Sequence, residues 1–302
     1  MKREWRLADL GEDAVVAAIT RNLRIGPDVR LGAGDDCAVV GGPRDRIWRL
    51  LKADVVVEGV HFLAATDATQ VGWKALCRAI SDIAAMGGTP EHALITVALA
   101  PETPMAWLGE LYRGLRRAAD RFGVNIVGGE TSRSPGPAFI NVALTGHVER
   151  KHCVLRSGGR VGDALYVTGR LGGSLRGKHL SFTPRLAEAM WLVTHHLPHA
   201  MMDISDGLAA DLPRLAAASK CAFELDESSI PCTPGFTTAE ALSDGEDFEL
   251  LVAVAPKSAG KLEGAWRRKF PRLPLTRIGS LTAKTRRSST LAKRIHGHDH
   301  FA

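Results

Sequence analysis

A mixed α/β fold in two domains is predicted by three observations. Short β-branched runs recur along the chain, stretches with helical apolar spacing lie between them, and a Gly-rich connector at residues 156–163 divides one such set from a second. With 302 residues, 45% of them apolar, the chain is long enough for two cores of ordinary domain size.

Taken in order, Asp9-Leu10-Gly11-Glu12-Asp13 sets acidic residues ahead of good helix formers and predicts a capped helix over 14–22. Strands are expected at 38–40, 53–57, 93–98, 125–127 and 139–144. Helices are expected at 71–86 and 105–122, where apolar residues return every three or four positions. After His147-Val148-Glu149-Arg150 the pattern restarts, so the expected domains are an N-terminal α/β domain, 1–149, and a C-terminal α/β domain, 150–302. The connector leads into a strand at 164–168. Helices near 185–195 and over 208–218 and strands at 248–254 and 277–281 follow. There is no short-period repeat, and the compositionally biased end of the chain is expected to fray.

The bulk properties exclude several function classes. No run approaches the ~18 apolar residues of a membrane-spanning helix, and the start, MKREWRLADLGEDAVV, is charged without an apolar signal core, so a non-membrane, unexported protein is expected. Cys37, Cys77, Cys153, Cys221 and Cys232 form no CxxC pair, which argues against a zinc site or a disulfide framework and fits a reducing cytoplasm. Much of the +6 charge sits in Arg267-Arg268-Lys269 and in residues 284–294, where solvated faces explain it. Aromatics are few and no basic run is interleaved with them, so no nucleic-acid partner is expected.

The chemistry points elsewhere. Acidic residues recur in what read as Gly-rich turns at strand ends rather than on helix faces: Gly34-Asp35-Asp36, Asp54, Ser81-Asp82, Gly128-Gly129-Glu130, Asp203-Ile204-Ser205-Asp206-Gly207 and Gly245-Glu246-Asp247. Singly, each reads first as an ordinary turn, because Asp bonds its own backbone and Gly accepts positive φ. As a set they describe a site for magnesium, which takes oxygen ligands and commonly combines one or two carboxylates with substrate phosphates.

In order and spacing, and over nearly the whole chain, these motifs resemble those of the thiamine-monophosphate kinase family. Gly32-Ala33-Gly34-Asp35-Asp36-Cys37-Ala38 is similar to its GxGDDxA, Asp54-Val55-Val56-Val57-Glu58-Gly59-Val60-His61-Phe62 to its DxxVEGxHF, and Ser81-Asp82-Ile83-Ala84-Ala85-Met86-Gly87-Gly88 to its SDxAAMG. Gly128-Gly129-Glu130-Thr131 resembles its GGDT with Glu for Asp. Arg156-Ser157-Gly158, Asp203-Ile204-Ser205-Asp206-Gly207-Leu208, Ser243-Asp244-Gly245-Glu246-Asp247-Phe248-Glu249-Leu250 and Gly297-His298-Asp299-His300-Phe301 complete the set. Aminoimidazole ribonucleotide synthetase, selenophosphate synthetase and a hydrogenase-maturation protein share the architecture, but their reactive Cys or selenocysteine positions have no counterpart here.

The resemblance implies a two-domain aminoimidazole ribonucleotide synthetase-like fold whose N-terminal strands help form a homodimer, with ATP as co-substrate, several Mg2+ ions and thiamine monophosphate as acceptor. It implies metal roles for Asp35, Asp54, Asp82, Glu130, Asp203 and Asp206, ATP contacts for Tyr112, Gly129, Arg156 and Ser205, and acceptor contacts for His61, Glu246 and His298. Arg156 suits bidentate phosphate contact. Tyr112 alone reads first as helix packing, and Glu246 has two readings, as partner of a cationic thiazolium or as hydrogen-bond partner of an aminopyrimidine. No protein nucleophile is implied.

Three departures from the family stand out. Lys52 and Ala53 replace the hydroxyl residues usual before Asp54, which leaves three readings: a missing metal site, an ammonium in place of an ion, or a solvated strand end. Glu130 is a longer ligand than Asp, and His298 replaces the usual Tyr or Trp. His195, His196 and His199 read as a helix end and His296, His298 and His300 as a tail, Met201-Met202 reads as core, and Gly172-Gly173-Ser174 lacks the lysine of a Walker loop. Besides the kinase, the residues admit a kinase with another acceptor and a non-catalytic binder. The retained carboxylates argue against the binder, since buried charges without a counter-ion are costly.

Overall fold

The computed structural model describes residues 5–284 and 297–298. The first half contains an exposed helix, α1 (Glu12–Thr20), and the strands β1 (Val29–Leu31), β2 (Ala38–Val40), β3 (Ile47–Val57), β4 (Thr89–Leu99), β5 (Asn125–Arg133) and β6 (Phe139–Glu149). Two long helices, α2 (Ala68–Ala85) and α3 (Met105–Phe122), are inserted among them. The sheet runs β1-β2-β3-β6-β4-β5. All neighbours are antiparallel except β4 and β5, which α3 connects as a crossover and which are therefore parallel.

Alternation along β3 and β6 sends Leu50, Val56, Ile140, Val142, Leu144 and Val148 into one core with α2 and α3. The next residues in register, Leu51, Leu94 and Phe139 among them, face the other way and are exposed.

The helices α2 and α3 cross with backbones touching. A Cβ on Gly72 would lie 2.0 Å from the Leu111 carbonyl oxygen, and one on Gly114 would lie 1.9 Å from that of Thr69. The obstacle at each is main chain, so it cannot rotate away. Gly114→Ala is therefore expected to destabilise by about 1–3 kcal/mol, the usual cost of overpacking, despite the better helix propensity of Ala. Denaturant unfolding at constant m-value would measure it, and an unchanged midpoint would refute the close crossing.

The second half contains β7 (Ala164–Thr168), α4 (Leu186–His195), β8 (Ala200–Ile204), α5 (Leu208–Ala218), β9 (Ala222–Leu225), α6 (Thr238–Ser243), β10 (Glu249–Val254), α7 (Pro256–Lys269) and β11 (Leu275–Thr282). Its sheet, β8-β10-β7-β11-β9, is antiparallel throughout. It is covered on both faces. Leu165, Val167, Met202 and Leu251 pack with α5, while Tyr166, Met201, Leu250 and Val252 pack with α4, α7 and the end of α2 through Ala84 and Ala85. Helix α2 thus spans the seam between the two sheets, and its Asp67 N-cap accepts from the Gln70 amide.

The expected helices over 71–86, 105–122, 185–195 and 208–218 and the strands at 164–168, 248–254 and 277–281 are present with small shifts of their ends. β1, β8, β9, α6 and α7 were not expected. β8, Ala-Met-Met-Asp-Ile, is as fully buried as β7 and β10 but has one β-branched residue and no aromatic, so its composition does not mark a strand. One expectation is corrected: the acidic set is not confined to turns. Asp54 lies inside β3, Asp82 inside α2, Glu130 inside β5 and Asp203 inside β8.

Candidate active site

The spacing of Lys74, Arg78 and Asp82, four residues apart, puts all three on one face of α2, and Ser81 adjoins them. This face meets β3 on one side and the second sheet on the other. Lys52 of β3 places its ammonium 2.7 Å from Asp82 Oδ1. Arg78 donates to Asp54 at 3.2 and 3.3 Å, and Ser81 Oγ donates to Asp203 Oδ2 of β8 at 2.6 Å.

The loop between β1 and β2 adds Asp35 and Asp36. Asp36, Asp82 and Asp203, which are 2%, 6% and 2% exposed, present carboxylate oxygens within 4.8 Å of one another. The Arg156 guanidinium bonds Asp36 Oδ1 through Nε at 3.1 Å and through an Nη, while its backbone amide donates to Asp35 Oδ2 at 3.0 Å. Asp36 Oδ2 is buried with no hydrogen-bond partner among the described residues.

Crowding of like charges governs the protonation of this cluster. Burial, then the Asp36 charge, pushes Asp203 up to about 7, and the same two causes push Asp35 to about 7. Burial also drives Asp82 well above the carboxylate range, because the charges of Asp203, Asp54 and Asp36 add to it and outweigh the help from Lys52. For Asp54 burial acts the same way, but Arg78 and Lys52 overcome it and hold the carboxyl low. Lys52 itself is disfavoured by burial yet kept protonated by Asp82 and Asp54. The cluster is an anionic pocket that holds protons near neutral pH unless another cation enters.

A second network lies beside it. Glu246 accepts from Lys74 Nζ at 2.6 Å and from Arg78 at 2.8 Å, and His179 Nδ1 lies 2.8 Å away. Lys74, fully buried, also bonds the His61 carbonyl oxygen at 2.5 Å. Burial opposes the Glu246 charge, but His179, Lys74 and Arg78 hold its pKa down at about 2.

Glu246 and Phe248 adopt φ of 52° and 50°, a left-handed conformation costly for non-glycine residues. They are held there because the Glu246 amide donates to the Ser205 carbonyl at 2.6 Å, the Phe248 amide donates to that of Ile204 at 2.8 Å, and Phe248 stacks on Phe182 at 4.0 Å.

Of the residues singled out from sequence, the fold brings Asp35, Asp54, Asp82, Arg156 and Asp203 together around Asp36, with Glu246 joined to them through Arg78. His61 is buried beside Lys74, its Nδ1 accepting from the Val57 amide at 3.1 Å. The Ser205 amide donates to Asp211. Asp206 pairs with Arg214, and its carbonyl accepts from the His298 amide at 2.9 Å. Glu130 lies exposed on β5 and Tyr112 packs partly buried against the first core. At Gly129 any Cβ would lie 1.8 Å from the Ile95 carbonyl oxygen. Asp299, His300 and Phe301, the rest of the last motif, lie outside the described residues.

Sequence reasoning placed Asp36 in the acidic set but gave it no role of its own, and missed Lys74, Arg78 and His179. The i, i+4 series ending at Asp82 was a usable signal for Lys74 and Arg78. Nothing in the pair Asp35-Asp36 says which side chain turns inward, and His179 is positioned by a contact 67 residues from Glu246 in sequence.

Against known proteins, residues 34–148 match the family model of the AIR synthase related protein N-terminal domain and residues 160–291 that of its C-terminal domain. A thiamine-monophosphate kinase of Rhodopirellula baltica is 38% identical over 292 residues, covering 91% of this chain and 90% of the relative. One of Escherichia coli K12 is 32% identical over 311 residues, covering 91% and 93%. A solved structure, AaThiL complexed with AMPPCP and TMP, superposes with a TM-score of 0.83 at 30% identity, covering 98% of this chain and 99% of that one.

Proposed function

Since the chain belongs to the thiamine-monophosphate kinases of the AIR synthase related family, we infer that it transfers the γ-phosphoryl group of ATP to the phosphate of thiamine monophosphate, giving thiamine diphosphate and ADP. The observation that carries this reading at the site is the buried triad Asp36, Asp82 and Asp203.

The triad fits magnesium. It offers hard oxygen donors at close range, one of them, Asp36 Oδ2, lacks a hydrogen-bond partner among the described residues, and the local excess of carboxylates calls for a cation. Asp36, Asp82 and Asp203 would hold the ion, with Asp35 and Asp54 beside them. Glu130 and Asp206 keep their metal assignment on the family resemblance alone. When bound, magnesium neutralises the facing phosphates and stabilises charge on the transferred group.

The chain's own residues bind and align. An oxygen of the acceptor phosphate attacks the γ-phosphorus in line, the β–γ bridging bond breaks, and ADP leaves with the electron pair, so no protein nucleophile is required. Arg156, fixed by Asp35 and Asp36 at the rim of the cluster, is assigned to the ATP phosphates, with Ser205, Gly129 and Tyr112 as further ATP contacts. His61, Glu246 and His298 are assigned to the acceptor. Surrounded by Lys74, Arg78 and His179, Glu246 is a poor lone counter-ion for a thiazolium, which favours the hydrogen-bonding role.

A homodimer is part of this reading. Its support is the uncovered sheet face, where Ala53, Ala143 and Leu94 stand side by side across three strands and Leu51, Leu94 and Phe139 are exposed. The ATP- and metal-binding domain is taken as residues 1–149 and the second as 150–302. No helix among the described residues is long and apolar enough to cross a membrane, and the five described cysteines are unpaired, in keeping with a cytoplasmic site of action.

The deciding measurement is purified protein with ATP, magnesium and thiamine monophosphate, scored for thiamine diphosphate and ADP together, with free thiamine and no acceptor as controls. Equal formation of both products is expected. ADP without thiamine diphosphate would point to a different acceptor, and neither product from folded, ATP-binding protein would favour a binder.

A further inference from the structure

We propose that the Lys52 ammonium is a built-in cation of the phosphoryl-transfer site, standing on Asp82 where the carboxylate cluster would otherwise take a further divalent ion. The proposal rests on the metal-assisted reading above and concerns what this chain has put in place of an ion.

Lys52 sits on β3 between Leu50 and Asp54, and strand alternation turns all three toward α2. Its side chain is 22% exposed and that of Asp82 9%, so the 2.7 Å contact is not a solvated surface pair. The solvated strand end, one of the three readings of the sequence, is thereby excluded.

Charge accounting supports the role. Asp35, Asp36, Asp54, Asp82, Asp203 and Glu246 are linked by contacts to the fixed cations Lys52, Lys74, Arg78 and Arg156. With all of these ionised, six negative charges face four positive ones, leaving a deficit that one divalent ion closes. Without Lys52 the same cluster would be more anionic, and Asp82 Oδ1 would be open to a second ion. An ammonium supplies point charge and hydrogen bonds but imposes no octahedral geometry, so it can neutralise at that position and orient Asp82 without ligating phosphate as a metal does. Lys52 acts here as a positioning residue, through Asp82.

The test counts ions. Mn2+ is titrated into the full chain with AMPPCP present, bound and free ion being distinguished by electron paramagnetic resonance, for the wild type, Lys52→Thr and Lys52→Arg. Lys52→Thr is expected to bind one more Mn2+ per chain, and removal of the competing charge should tighten binding by about tenfold, the scale on which neighbouring groups tune metal sites. Lys52→Arg, which keeps the charge, should match the wild type. The kinase rate of Lys52→Thr should also depend more steeply on magnesium.

Equal ion counts and equal affinities in wild type and Lys52→Thr would overturn the proposal and leave Lys52 a structural partner of Asp82. Failure of the kinase reading is separable, because it would show as absent thiamine diphosphate in the wild type whatever the Mn2+ count.

Discussion

Asp203→Asn is expected to lower kcat by more than about a thousandfold at saturating magnesium while making the metal-free protein more stable at pH 8. The first effect follows from removing a charged ligand where negative charge must be neutralised during transfer, on the scale of losing a principal electrostatic contributor to phosphoryl transfer. The second follows from the crowding of the site.

In the folded chain Asp203 titrates at about 7 against an ordinary 3.8, because burial and Asp36 disfavour its charge. Between those values the folded state holds a proton that the unfolded state has released, so stability falls as pH rises from 3.8 and is lowest above about 7. At pH 8 the wild type carries the buried charge at full cost. A neutral Asn can still accept from Ser81 Oγ and removes a penalty on the order of 4 kcal/mol. The gain should shrink toward pH 5, where Asp203 is already protonated. Thermal melts with a chelator at both pH values, beside a steady-state assay, would decide it, and wild-type turnover would remove Asp203 from the metal site.

Asp82→Asn should also lose turnover, and it leaves the Lys52 ammonium beside a neutral amide.

Glu246→Ala is expected to destabilise the protein by about 3–5 kcal/mol, the cost of breaking a buried ion pair by deleting one partner. Lys74 is fully buried and loses its carboxylate, and Arg78 loses one of its two. Even with Glu246 present, burial brings Lys74 down to about 8 from 10.5. Between those values the unfolded state holds the proton and the folded state does not, so the Lys74 contribution to stability improves as pH rises. Losing Glu246 depresses Lys74 further, so the damage should be larger at pH 6 than at pH 9. The double variant Lys74→Met, Glu246→Ala should recover part of the loss, because no uncompensated ammonium remains. Denaturant unfolding at the two pH values measures all of this, and a pH-independent loss equal in the single and double variants would refute the coupling.

Local pattern determined a good deal of this protein. Helices α3 and α4 announced themselves because each buries one stripe and exposes another, α2 and α5 because their apolar residues return at helical spacing, and the acidic motifs because Asp and Gly mark the places where backbone and metal need oxygen and room. β8 stayed hidden, since Ala-Met-Met-Asp-Ile has a single β-branched residue, whereas the equally buried β7 and β10 carry Val, Thr or Tyr.

The site was legible as a list of carboxylates but not as a constellation. That Asp36 faces Asp82 and Asp203, that Lys52 stands on Asp82, and that Glu246 gathers Lys74, Arg78 and His179 are consequences of α2 crossing from one sheet to the other. Sequence spacing specifies a residue's side of its own helix or strand, because that depends on local geometry. Which charges then share a buried volume, and hence which carry protons or need a cation, depends on distances between segments far apart in the chain, and only the tertiary structure supplies those.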